Sequence, residues 1–323
     1  MAAILSMALP FFGLILLGYV TAKYKRLDVS GLAWMNFFIV YVALPALFYN
    51  LLSQTPIEKL GNFAFIFASL LGTYIAFAIA FAIGTADTGG DIRQSTIQGL
   101  SGAYGNIGYM GPGIAIGALG EPAAVPVALI LCFDNTLHFA MAPLMMAMSG
   151  EGEKQSPLKL AWDVLKKIFT HPFIVATIVG VTAAALEFKA PEAAQVLLDY
   201  LQGAAAPCAL FAMGVTVALA PRGNFPKVMA ALVPVKLIVH PVIVYLLLSW
   251  VGDFDPVWVY AAVILASLPT ATNVFVIAQQ YDVWVVRASS MVLVSTIASV
   301  VTVTGLLWLI ATKTLPPDLF PSV

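Results

Sequence analysis

The chain has 323 residues, 61% of them hydrophobic and 10% charged, with a net charge of -1 at neutral pH and a mean hydropathy of +0.96. A soluble domain carries about 25% charged residues, so this composition excludes one and points to a polytopic membrane protein. The balanced charge gives no case for a nucleic-acid partner.

Apolar stretches long enough to cross a bilayer, roughly 17–25 residues each, fall at about 4–22, 33–52, 63–84, 95–118, 123–147, 172–188, 197–219, 230–250, 257–280 and 289–311. The expected fold is all-α, with one five-helix group in 1–148, a linker at 149–171 and a second five-helix group in 172–323. No basic residue precedes the first span and Lys23, Lys25 and Arg26 follow it, so a cleaved signal peptide is not expected. Pro45 and Pro207 are expected to kink the second and seventh spans, as structural bends or as pocket lining.

The fourth span reads GNIGYMGPG from Gly105 to Gly113 near its middle, and the ninth reads LPTATN from Leu268 to Asn273. Pro112 cannot donate a helix hydrogen bond to Gly108, nor Pro269 to Leu265, and facing lipid each orphaned carbonyl would cost several kcal/mol. Both segments are therefore expected to face protein or a water-filled cavity. A pair of Gly/Pro-interrupted spans, one in each half, marks the substrate site of a secondary transporter. Small residues at three- and four-residue spacing (Gly102, Gly105, Gly108, Gly111, Gly113 and Gly117) are also an ordinary helix-packing face. With Asn106, Thr270, Thr272 and Asn273 beside the breaks, the reading here is a pair of crossed, broken helices. Their amino ends, each worth roughly half a positive charge, would favour an anionic guest such as a carboxylate.

Ionisable groups at membrane depth cost at least about 2.5–3.5 kcal/mol each and are functional by default. Asp134 and Lys236 qualify. Asp134 shares a helix face with His138, with Asn135 beside it, and Lys236 and His240 repeat that spacing in the eighth span. Asp134 is either neutralised structurally by Lys236 or His138, or it carries the coupling ion, H⁺ or Na⁺, with Gln279 among further oxygen ligands. His240 reads as a packing residue. Cys132 and Cys208 lie in apolar runs, form no metal or redox motif, and are expected buried and reduced.

The linker carries an amphipathic stretch, Trp162, Leu165, Ile168 and Phe169 set against Lys159, Lys166 and Lys167, which reads as an interfacial helix. Sorting basic residues into alternate loops puts eleven (Lys23, Lys25, Arg26, Arg93, Lys154, Lys159, Lys166, Lys167, Arg222, Lys227, Arg287) on one side and three (Lys59, Lys189, Lys313) on the other. The termini are then expected outside the cytoplasm.

The halves also match one another. Pro10, Gly18 and Pro45 correspond to Pro172, Gly180 and Pro207, and Gly61-Asn62-Phe63 to Gly223-Asn224-Phe225, all at an offset of 162 (172 − 10), while Asn106 pairs with Asn273 at 167 (273 − 106). Five is odd, so two such repeats enter the membrane in opposite senses, as alternating access requires.

GNIGYMGPG, the small-residue run and polar FDN helix after it, and LPTATNVFVIAQQY in the ninth span resemble the auxin efflux carrier family along essentially the whole chain. The resemblance implies two inverted five-helix repeats, a scaffold and a transport subdomain, a crossover of the fourth and ninth helices at the substrate site as in sodium/proton antiporters and bile-acid symporters, and Asn106, Pro112, Pro269 and Asn273 as crossover positions. The chain has no long hydrophilic central loop and no Asn-Pro-Asn break, so a short-loop bacterial-type carrier of a small organic acid such as malonate or malate is a better match than an auxin carrier.

The expected function is secondary active transport of a small organic anion across the bacterial inner membrane. Its partners would be that anion and the lipid bilayer, with a homodimer left open and no cofactor. The alternatives are an ion-coupled carrier of another substrate class, bile-acid-like or cation/proton, and a channel or receptor. His138, His171 and His240 form no HExxH motif and no GxxxxGK[ST] loop is present, so neither metalloenzyme nor ATP-driven chemistry is indicated.

Overall fold

The computed structural model describes residues 2–25, 29–56, 58, 61–149, 156–219 and 226–320, without the side chains of 2–8, 29, 135–137, 139, 157, 160, 167 and 168. Among these residues every regular element is a helix. In chain order they are α1 Ala2–Lys25, α2 Ser30–Ser53, α3 Phe63–Thr88, α4 Ile92–Ala103, α5 Gly111–Leu119, α6 Ala124–Met148 and α7 Pro157–Phe169. There follow α8 Pro172–Ala185, α9 Glu192–Leu219, α10 Met229–Val251, α11 Pro256–Ser267, α12 Thr272–Tyr281 and α13 Val285–Ala311. Among the described residues α2, α3, α9, α10 and α13 are long and apolar enough to cross a membrane.

Both interrupted spans are broken. The first break runs between Ala103 and Gly111, and Pro112 sits in the opening turn of α5, where its missing N–H is no loss. It starts the second half-helix instead of ending the first, a shift from the expected break at its Gly108 partner. Pro269 lies within the second break, between Ser267 and Thr272.

Prolines also explain two π-turns. In α2 the turn Ile39–Ala43 precedes Pro45, and Leu44 N–H reaches back to Ile39 O. In α10 the turn Val235–Val239 precedes Pro241, and His240 N–H reaches back to Val235 O. The extra residue per turn accommodates a proline ring that would clash with the carbonyl four residues earlier.

The helices form two compact units, 1–63 with 108–132 and 169–219, and 64–107 with 133–168 and 220–323. Each draws on both halves of the sequence, so packing units and sequence halves are different divisions of the chain. In the first unit α1 lies on α9 at Gly18, where an added Cβ would strike the Phe211 carbonyl, and α8 lies on α2 at Gly180, where it would meet the Tyr49 backbone at 3.3 Å. These two contacts exchange under the offset of 162 (180 − 18 and 211 − 49). A Cβ added at Gly113 would meet Ala206 and Leu210 of α9 at 3.3 Å, and one added at Gly117 would meet Phe11 of α1 at 2.7 Å. In the second unit Gly102 abuts Ala80 of α3. These are close helix-packing contacts, the ordinary use of small residues in a membrane fold. Gly223-Asn224-Phe225 lies outside the described residues.

Candidate functional site

The second unit holds the crossing of the two breaks. Beyond α4 the backbone of Tyr104 turns extended, and Gly105 pairs antiparallel with Thr270. Asn106 N–H donates to Pro269 O at 2.7 Å and Ala271 N–H donates to Tyr104 O at 2.8 Å. These two bonds define the antiparallel pair and hold the two breaks together.

Each broken helix leaves carbonyls without helical partners. Thr270 Oγ1 donates to Ser101 O at 2.7 Å in the last turn of α4. Lys236 Nζ donates to Ala266 O at 2.6 Å in the last turn of α11, placing an ammonium at the negative end of that helix. Thr270 N–H donates to Ser295 Oγ of α13 at 3.1 Å. Gly105 lies over the Lys236 ammonium, 3.3 Å from a Cβ built there. A larger residue at Gly105 would crowd the bridge.

Around this bridge, Asn106 and Thr270 are buried, whereas Thr272 and Asn273 are partly exposed. Asn273 Nδ2 donates to Tyr104 Oη at 2.9 Å. The Tyr104 ring stacks on the His138 imidazole, centroids 4.0 Å apart and planes 10° from parallel. His138 Nδ1 donates to Asp134 O at 2.7 Å and lies 3.7 Å from Asp134 Oδ2. Both side chains are buried, and Asp134 Oδ1 and His138 Nε2 have no hydrogen-bond partner among the described residues.

From the other side, Lys236 Nζ donates to His240 Nδ1 at 3.2 Å. That leaves His240 Nε2–H to donate to Thr73 Oγ1, also at 3.2 Å, and the Thr73 hydroxyl hydrogen-bonds the Asp134 carboxylate. The result is a continuous run, Lys236, His240, Thr73, Asp134, His138 and Tyr104, all buried, ending at the partly exposed Asn273; it is built from α10, α3, α6, the residue that follows α4, and α12. His240 is thus a link in a polar chain, not the packing residue expected. Among the described residues no ion pair joins Lys236 directly to Asp134; the electrostatic neighbour of Asp134 in contact is His138.

Of the expected residues, Gly105, Asn106, Pro269, Thr270, Thr272 and Asn273 meet at the crossing, and Asp134, His138 and Lys236 meet in the run beside it. Gly108, Pro112, Pro45 and Pro207 belong to the first unit. Gln279 is exposed towards the end of α12 and takes no part in the hydrogen bonds around Asp134. The side chain of Asn135 lies outside the described residues. Sequence reasoning missed Thr73, Ser101, Tyr104 and Ser295. Tyr104 adjoins the Gly-Asn break and could have been found from it; Thr73 and Ser295 are single hydroxyls in apolar helices, with no distinguishing pattern.

The first unit contains a cavity of about 1010 Å³ between the end of α2 and the α8–α9 connection, lined by Glu58, Glu187, Glu192, Lys189 and Gln195 among others. Among its described lining residues are three carboxylates and one ammonium.

A family model described as "Membrane transport protein" matches residues 3–307. The chain is 56% identical over 321 residues, 99% of its length and 100% of the relative's, to a protein of Rhizobium meliloti (strain 1021) described as "Putative malonate transporter". It is 24% identical over 292 residues, 89% of its length and 92% of the relative's, to an "Uncharacterized transporter" of Methanothermobacter thermautotrophicus (strain ATCC 29096 / DSM 1053 / JCM 10044 / NBRC 100330 / Delta H).

Proposed function

We propose, for a chain that belongs to the membrane transport protein family, the auxin efflux carrier family its sequence resembles, a proton-coupled secondary carrier of a small dicarboxylate of the malonate class. It is an integral membrane transporter and not an enzyme. The observation that carries the reading is the bridge of Gly105 with Thr270, which crosses two broken helices and sets Asn106, Thr272 and Asn273 around it. Amides, hydroxyls and the free N–H groups that open a helix suit a carboxylate. The 56% identity to the relative described as "Putative malonate transporter" supports the choice of anion.

Ten spans in two inverted repeats of five are the arrangement we infer. One observation supports it, the α1–α9 and α8–α2 contacts that exchange at 162. The excess of basic residues in alternate loops supports non-cytoplasmic termini in an inner membrane. A proton is the coupling ion of this reading, carried by Asp134 with His138. One imidazole stands against that carboxylate, and a second imidazole and an ammonium follow it through Thr73, where a sodium ion would need a cage of oxygens.

Purified protein in proteoliposomes, given radiolabelled malonate, tests the carrier reading. Saturable uptake with counterflow from malonate-loaded vesicles is expected. Uptake linear in concentration and without counterflow would mean a channel, and no uptake of malonate or other dicarboxylates would reject the substrate class.

A further inference from the structure

We propose that Tyr104 is a positioning residue that couples protonation of the Asp134–His138 pair to the aim of Asn273 at the crossing; this rests on the proton-coupled reading above. Its two faces of contact are the observation. The ring lies flat on the His138 imidazole at 4.0 Å, and its hydroxyl oxygen accepts from Asn273 Nδ2 at 2.9 Å. Tyr104 is buried, and its main-chain carbonyl is itself held by Ala271 N–H at 2.8 Å. The side chain therefore stands on a backbone that the bridge fixes.

The electrostatics give the direction of the coupling. With His138 neutral, Nδ1–H is spent on Asp134 O and Nε2 is left as an acceptor without a partner among the described residues. A proton taken up by the pair makes the ring an imidazolium or neutralises the carboxylate 3.7 Å away. An imidazolium on the face of a phenol is attracted to the ring's negative quadrupole. It also draws electron density from the phenol oxygen, which becomes a poorer acceptor for the Asn273 amide. Asn273 then has a donor to offer to a carboxylate. Proton uptake and anion binding favour one another through this one side chain, and by linkage the effect is mutual.

The other groups facing the pair are Lys236 and His240 from α10 and Thr73 from α3. Lys236 and His240 hydrogen-bond one another and Lys236 caps Ala266, while His240 reaches the pair through Thr73. Tyr104, which follows α4, is the contact through which the pair meets Asn273.

The test is malonate affinity from pH 5 to 8 in purified wild type, Tyr104→Phe and Tyr104→Leu. Wild type should bind malonate more tightly at low pH. Tyr104→Phe keeps the stack and loses the oxygen, and it should bind malonate with a pH dependence flattened by fivefold or more. Tyr104→Leu should be equally flat. A Tyr104→Phe variant with the wild-type pH profile overturns the inference, as does one that is folded yet binds at no pH, which would make the hydroxyl part of the anion site. Wild type that binds malonate without any pH dependence overturns the link and leaves the carrier standing. Wild type that binds no dicarboxylate overturns both.

Discussion

Replacing Thr270 with valine is the cleanest perturbation of the crossing, because valine copies its shape and removes one hydroxyl. That hydroxyl donates to Ser101 O at 2.7 Å, both residues being fully buried. Ser101 lies in the last turn of α4, whose chain leaves the helix after Ala103 and offers that carbonyl no helical donor. Leaving a buried acceptor unsatisfied costs about 1–3 kcal/mol. The backbone donor of Thr270 still reaches Ser295 Oγ and the two bridge bonds stay in place, so the loss is one bond of four. The same energy, spent on the equilibrium between an ordered and an opened crossing, is a factor of about 5–150. Thr270→Val should therefore lower the thermal midpoint in detergent and weaken malonate binding by about tenfold. Thr270→Ser, which keeps the hydroxyl and gives up one methyl worth about 0.8 kcal/mol, should retain most of the affinity. If Thr270→Val melts and binds like wild type while Thr270→Ser does not, the hydrogen-bonded crossing is not what orders this site.

Asp134→Asn should abolish accumulation of malonate against its gradient in proteoliposomes and spare exchange between loaded vesicles, since exchange needs no net proton movement; full gradient-driven accumulation by a folded variant would eliminate Asp134 as the proton carrier. Gly18→Ala would drive a methyl into the Phe211 carbonyl, and it should reduce the yield of folded protein more than Gly13→Ala, whose added carbon meets only the flexible Leu9 side chain at 3.8 Å; equal yields would argue against the tight α1–α9 contact. Asp91 caps α4, its carboxylate accepting from Gln94 N–H at 3.0 Å and Gln94 Nε2 at 2.7 Å, and the Gln94 backbone bond foremost holds its pKa below the ordinary carboxylate value. A depressed folded pKa means stability that is present above the unfolded value and lost as pH falls through the folded one. Asp91→Ala should cost about 1 kcal/mol at neutral pH, with the gap to wild type closing on acidification below the ordinary carboxylate range; a gap that stays constant to pH 3 would show that the charge contributes nothing.

The breaks were legible because Pro and Gly in a membrane span leave few outcomes, and Asp134, His138 and Lys236 because ionisable residues at depth are rare. The exact break points were not. Pro112 lacks a donor whether it ends one helix or begins the next, and only the extended backbone at Tyr104 decides for the second. The offset of 162 holds for Gly18 and Gly180 because both seat a backbone crossing of the same kind. His240 shows the limit of periodicity: one turn from Lys236 and next to a proline, it fits packing or polar contact equally well. The π-turn before Pro241 brings its Nδ1 to the Lys236 ammonium.

The central claim, that an organic anion is held at the crossing by Asn106 and Asn273, is tested most directly by malonate binding to purified wild type, Asn106→Ala and Asn273→Ala. A hydrogen bond to a charged group is worth about 1.5–3 kcal/mol, so each folded variant should bind at least about tenfold more weakly than wild type. Wild-type affinity in both would place the anion elsewhere in the protein.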